Sequence, residues 1–174
     1  MSKSTLTDLK ERRSIRSYKP GQLNDEELEA ILEAGTYAPT GMGSQSPVMV
    51  VVRDPALVAQ LEKLNAEVLK DPEAKPFHGA STVINVLVDK TKATPLQDGS
   101  LVMGNLMNAA HALGIGSCWI NRAKEVFASK EGKALLEKWG LSGDYEGVGH
   151  CILGYPAEEP KAKPRKKGYI IKVK

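Results

Sequence analysis

The run Ser81-Thr82-Val83-Ile84-Asn85-Val86-Leu87-Val88 constrains the fold most, because it is nearly continuous in apolar and β-branched residues. Such a run reads as a buried strand. Val48-Met49-Val50-Val51-Val52 predicts an earlier strand, the exit Gly114 to Ile120 a third, and Tyr145 to Tyr155 a fourth. Helical patterns lie between them. Ser4-Thr5-Leu6-Thr7-Asp8 signals a helix start. Asn24 or Asp25 caps a second helix through about Ala34, where Leu28, Ile31 and Leu32 share one face. Asp54-Pro55 opens a charged amphipathic helix that Asp71-Pro72 ends, and Asn121 to Trp139 reads as two short helices. The longest apolar helix runs from Leu96 or Asp98 to Leu113, with apolar residues on most sides, so it is expected to be buried. Its Asn105, Asn108 and His111 recur every third residue and form a polar seam, a pattern of helix packing or subunit contact more than of catalytic machinery.

A chain of 174 residues, 41% hydrophobic and 26% charged, suits one globular domain. It carries no signal-like leader and no apolar run of about eighteen residues, so a cytoplasmic address is expected, with no membrane partner. Cys118 and Cys151 lie in apolar runs and read as buried thiols. His78, His111 and His150 have no metal-ligand spacing with either cysteine or with paired carboxylates, and no metal site is expected.

Three segments invite a ligand. The turn Arg12-Arg13-Ser14-Ile15-Arg16-Ser17-Tyr18 gathers three guanidinium groups and two serine hydroxyls, donors that match phosphate oxygens, although clustered arginines also make ordinary solvated faces. The loop Ala38-Pro39-Thr40-Gly41-Met42-Gly43-Ser44-Gln45 follows a helix and opens a strand. That order is the reverse of a dinucleotide fingerprint, and the loop reads either as an ordinary turn or as a hydrogen-bonding edge for a planar heterocycle. Near the C-terminus, Lys161 to Lys167 packs five cations into seven residues. With 5% aromatic residues and no interleaved aromatics or helix-turn-helix signal, this cluster does not point to nucleic acid. Beyond it, Tyr169-Ile170-Ile171-Lys172-Val173 alternates like an edge strand that needs a surface to lie on.

In their order and spacing, these elements resemble the nitroreductase family of flavoproteins, specifically its smaller members. The resemblance spans nearly the whole chain and rests on Glu11-Arg12-Arg13-Ser14-Ile15-Arg16, on Ala38 to Gln45, on the helix from Asp98 running into Gly114-Ile115-Gly116-Ser117-Cys118-Trp119-Ile120, and on Ile152-Leu153-Gly154-Tyr155-Pro156 ahead of Lys163-Pro164-Arg165. It implies an α+β fold with a central, mostly antiparallel sheet flanked by helices, one domain over residues 1–174, and an intertwined homodimer with FMN at the subunit interface. The tail from about 156 to 174 would pack on the partner. The family's phosphate site maps onto Arg12, Arg13, Ser14 and Arg16, joined by Lys163 and Arg165. Its ring-binding loop maps onto Pro39, Thr40, Gly41, Met42, Gly43 and Gln45, supplied by the other subunit. Ile115, Gly116 and Ser117 would lie beside the redox-active edge, where a backbone amide can stabilise the reduced ring.

The implied activity moves hydride from NADH or NADPH through bound FMN to a nitroaromatic, quinone or similar small electron-poor acceptor, in alternating half-reactions. The cofactor supplies the redox chemistry, and no catalytic side chain is named. Gly43 departs from the Asn common in the family, and Ser46-Pro47 departs from the frequent Pro-aromatic pair. Gly43 keeps open a flavin carrier, sensor or flavin-processing protein with little reductase activity, and Ser46-Pro47 points to a different pocket floor.

Overall fold

The structure, a computed structural model, describes residues 5–173, so Ser4 of the expected helix start lies outside the described residues. Its elements in chain order are α1 (Thr5–Glu11), α2 (Asp25–Thr36), β1 (Val48–Val52), α3 (Pro55–Leu69), β2 (Thr82–Asp89), α4 (Pro95–Ala112), β3 (Gly116–Ile120), α5 (Ala123–Ala128), α6 (Lys130–Lys138) and β4 (Tyr145–Gly154). The fold is α+β. Its four strands lie in the order β1-β2-β4-β3, every pairing antiparallel.

The continuous apolar run of β2 follows from its central place. Ile84, Val86 and Val88 face a core with Leu28 and Ile31 of α2 and Val102, Met103 and Leu106 of α4. Val83 and Leu87 face the opposite core, with Leu61 and Leu64 of α3, Val126 and Phe127 of α5, and Leu135 and Leu136 of α6. A strand covered on both faces has no solvent side to keep polar.

Local chemistry sets several boundaries. Asn24 and Glu27 form a reciprocal capping box at the start of α2. The Asp54 side chain accepts from Leu57 N with Pro55 in the first turn of α3, and Lys70 in left-handed conformation closes that helix. Gly114, at φ +76°, releases the chain from α4 into β3. Among the described residues, no helix is long and apolar enough to cross a membrane.

Residues 169–173 form no strand within the single chain, and Tyr169, Ile170, Ile171 and Val173 are exposed. One expectation is corrected. The helix α4 is not buried all round. Leu101 is 46% exposed and Leu96 in the first turn is also accessible, so α4 carries some apolar surface to solvent in the single chain.

Candidate functional site

The basic turn becomes an extended strap laid along β3. Ser14 bridges Ser117 in parallel sense, Ile15 N donates to Ser117 O at 2.9 Å, and Lys19 N donates to Tyr155 O at 2.8 Å. The Tyr18 hydroxyl returns to Ile15 O at 2.7 Å, and burial pushes that phenol's pKa up, so it stays a neutral donor. Ala157 N donates to Ser17 O, which draws the start of the C-terminal tail beside the strap.

The strap's arginines have different surroundings. Arg12 Nη1 is buried and has no hydrogen-bond partner among the described residues. Arg13 Nη1 donates to Lys10 O at 2.8 Å and to Arg12 O at 2.6 Å. Arg16 is exposed, and its backbone N–H donates to a carboxylate oxygen of Glu158. Lys163 and Arg165 are exposed and joined by Arg165 Nη2 donating to Lys163 O at 2.6 Å, and neither lines a cleft with the strap.

A cleft opens at each end of β3. The first, about 370 Å³, is lined by Arg13, Ile115, Gly116 and Ser117, with three carboxylates, Glu11, Glu158 and Glu159. Ile115 N already donates to Ala110 O at 2.8 Å, and Ser117 is buried between β4 and the strap, so this segment offers little free backbone to a ligand. The second, about 360 Å³, is lined by Arg16, Lys75, His78, Trp119, Asn121 and Arg122. Burial, then the nearby Arg16, holds the His78 pKa below 6.5, so the imidazole is mainly neutral at pH 7. Arginine and lysine therefore set this cleft's charge. His78 (φ +53°) and Arg122 (φ +75°) are non-glycine residues in left-handed conformation, and such strain clusters at functional sites. Sequence reasoning missed Lys75, His78 and Arg122. The one readable hint was a charge, Arg122, set almost directly behind the apolar run that ends at Ile120.

The loop from Pro39 to Gln45 lies elsewhere. Residues 41–43 make a short helical turn, Met42 and Gly43 within it and Gln45 beyond it are at positive φ, and Met42 is 98% exposed. Thr40 Oγ1 accepts from Gln45 N, while Gly41 N donates to Asp98 Oδ1 at 2.9 Å in the first turn of α4. The helix α1, which leads into the strap, packs at the other end of that helix, where Asp8 Oδ1 lies 3.9 Å from His111 Nε2, and Ile15 of the strap lines the first cleft with His111. Thirteen residues of helix separate Asp98 from His111, about 20 Å along the axis. Within one subunit, the two expected halves of the site stand apart.

The model of the nitroreductase family matches residues 9–155. The chain belongs to the nitroreductase family. Among relatives, this family member is 34% identical over 154 residues to an Archaeoglobus fulgidus protein provisionally named NADH dehydrogenase/NAD(P)H nitroreductase, covering 85% of this chain and 83% of that one. A Bacteroides fragilis nitroreductase crystallised with bound FMN superposes with TM-score 0.90 at 28% identity, covering 99% of this chain and all of that one. A Desulfitobacterium hafniense nitroreductase with bound FMN gives TM-score 0.88 at 27% identity, with both chains fully covered.

Proposed function

We propose that this protein is an FMN-dependent oxidoreductase that takes hydride from NADH or NADPH and passes it to an electron-poor small molecule such as a nitroaromatic or quinone, in alternating half-reactions. The observation that carries the reading is Arg12 Nη1, a buried guanidinium nitrogen with no partner among the described residues, in a strap whose family counterparts include FMN-bound structures. A buried unpaired donor costs about 1–3 kcal/mol, and a phosphate oxygen would remove that penalty. Arg12, Ser14 and Arg16 would hold the phosphate, with Arg13 fixing the turn and Lys163 and Arg165 closing over it from the tail. FMN supplies the hydride chemistry; the chain's residues bind it, orient it and exclude water. No side chain is assigned a proton-transfer role.

Charge favours the second cleft over the first for the ring. Arg16, Lys75 and Arg122 suit a ligand that becomes negative on reduction, whereas Glu11, Glu158 and Glu159 oppose it. The loop from Pro39 to Gln45 would reach the ring from a second copy, since within one chain about 20 Å of α4 separates it from the end where the strap begins. A homodimer also accounts for two apolar surfaces. The outer edge of β1 borders a groove containing Trp139 and Leu141, and the exposed alternating residues 169–173 match its five-residue length. The tail would then form its strand on the partner's sheet, and the exposed apolar surface of α4 would be covered in the same assembly. A cytoplasmic location fits a reductase of nicotinamide cofactors.

The test is the visible spectrum of purified protein after incubation with FMN and desalting, before and after anaerobic NADH and NADPH. A retained flavin band that bleaches supports the reading and identifies the donor. A retained band that neither donor bleaches would favour a carrier or sensor, and no retained flavin would overturn the FMN assignment.

A further inference from the structure

Arg122 is held in an expensive position. Its φ of +75° places an L-residue in the left-handed region, which costs roughly 1–2 kcal/mol. It stands at the N-cap of α5 with no side-chain cap, and a cation there opposes the helix dipole. No carboxylate pairs with it among the described residues.

What holds it is Asn65 of α3, fully buried and 57 residues distant in sequence. Asn65 Oδ1 accepts from Arg122 Nε at 3.0 Å, while Asn65 Nδ2 donates to the carbonyl of Asn121 at 2.7 Å. One amide thus fixes both the guanidinium and the peptide that carries it. Strain of this kind persists only where surrounding structure over-determines it. A side chain needed only to tie α3 to α5 could do so without a charge, yet this one lines the cation-rich cleft with Arg16 and Lys75.

We propose that Arg122 is the fixed cation that stabilises the reduced flavin ring, and that Asn65 is the residue positioning it. The inference rests on the FMN reading above. A neutral oxidised ring that takes up hydride gains two electrons and one proton and carries one negative charge. A guanidinium already locked in place favours that form over the neutral one without reorganising. Arg122 therefore raises the flavin potential and tightens binding of reduced over oxidised FMN.

The experiment compares wild type, Arg122→Gln, Arg122→Lys and Asn65→Ala. Dissociation constants for oxidised and reduced FMN, the midpoint potential against redox dyes and the affinity for sulfite would be measured, since sulfite adds to the ring and leaves it negative. Arg122→Gln should lower the reduced-over-oxidised preference and the sulfite affinity about tenfold, which is about 30 mV for a two-electron couple. Oxidised FMN should bind Arg122→Gln within about threefold of wild type, which also shows the variant is folded. Arg122→Lys should restore most of the preference, and Asn65→Ala should lose part of it. Equal weakening for both flavin states would reduce Arg122 to a structural role and overturn the proposal. So would an unchanged preference, including one accompanied by a raised KM for anionic acceptors. Failure of wild type to retain FMN would sink the underlying reading instead.

Discussion

The two clefts at the ends of β3 have nearly equal volumes, about 370 and 360 Å³, and opposite charge. At the start of the strand, one arginine whose Nη1 is engaged by two carbonyls faces three glutamates. At its end, two arginines and a lysine converge with no paired carboxylate among the described residues, although Glu62 and Glu158 stand near His78. Size does not distinguish these cavities, and the five residues of β3 separate them. What distinguishes them is the sign of the charge that lines them. A cation held in place by a neutral amide, as Arg122 is by Asn65, keeps its charge available to an anion, whereas three carboxylates repel one.

The largest test removes the cationic contrast. Replacing Arg12 and Arg16 together with alanine should weaken FMN retention by about a hundredfold or more, since charge-assisted bonds contribute about 1.5–3 kcal/mol each. Fluorescence titration would measure the loss, and unchanged affinity in a folded protein would overturn the phosphate assignment to Arg12 and Arg16.

Next comes the partner that would complete the second cleft. Ile170→Asp combined with Ile171→Asp should raise the dimer dissociation constant by about ten- to a hundredfold in sedimentation equilibrium, because both side chains are exposed in the single chain. Flavin retention should fall with it. A stable dimer would mean that the tail does not lie in the interface.

A smaller effect comes from the core below Arg122. His150 is fully buried, its Nδ1 lies 2.7 Å from Asn85 Oδ1, and its pKa is lowered to about 3 by burial and then by Arg122. The unfolded chain takes up a proton near pH 6.5 that the folded chain refuses until about pH 3. This contribution to stability is therefore complete above pH 6.5 and declines as pH falls towards 3, by up to about 1.4 kcal/mol per pH unit. Urea unfolding at pH 7 and pH 5 would check the slope. His150→Gln should flatten it.

The smallest expected effect is the control on the acidic side. Glu159→Gln should leave FMN affinity within about threefold, because an exposed charge outside the binding cleft acts weakly. A large loss would place the ligand at the first cleft after all.

Loop chemistry yields a further check at Gly43, where φ is +64° and an added Cβ would meet nothing within 4 Å. Gly43→Asn should change stability by less than about 0.5 kcal/mol in thermal unfolding, since Asn tolerates this region, while Gly43→Val should cost about 1–2 kcal/mol.

Much of the architecture was legible because its signals are local. The capping box of Asn24 and Glu27, the Asp54-Pro55 start, the release at Gly114 and the four strand runs are patterns within a few residues. The chain's basic turn and its glycine-rich loop were visible for the same reason. For the tail, alternation records that a face wants burial without saying against which surface, and in the single chain that face stays exposed.

The sequence by itself determined the elements, the central burial of β2 and the segments able to meet an anion. Only the tertiary structure decided which of those segments meet. It set Asn65 beside Arg122, put α1 and the loop from Pro39 to Gln45 at opposite ends of α4, and lined one end of β3 with three glutamates and one arginine and the other with two arginines and a lysine. The reason is physical: periodicity encodes how a residue is solvated, whereas charge balance in a cleft depends on sheet register and helix packing, which join residues far apart in the chain.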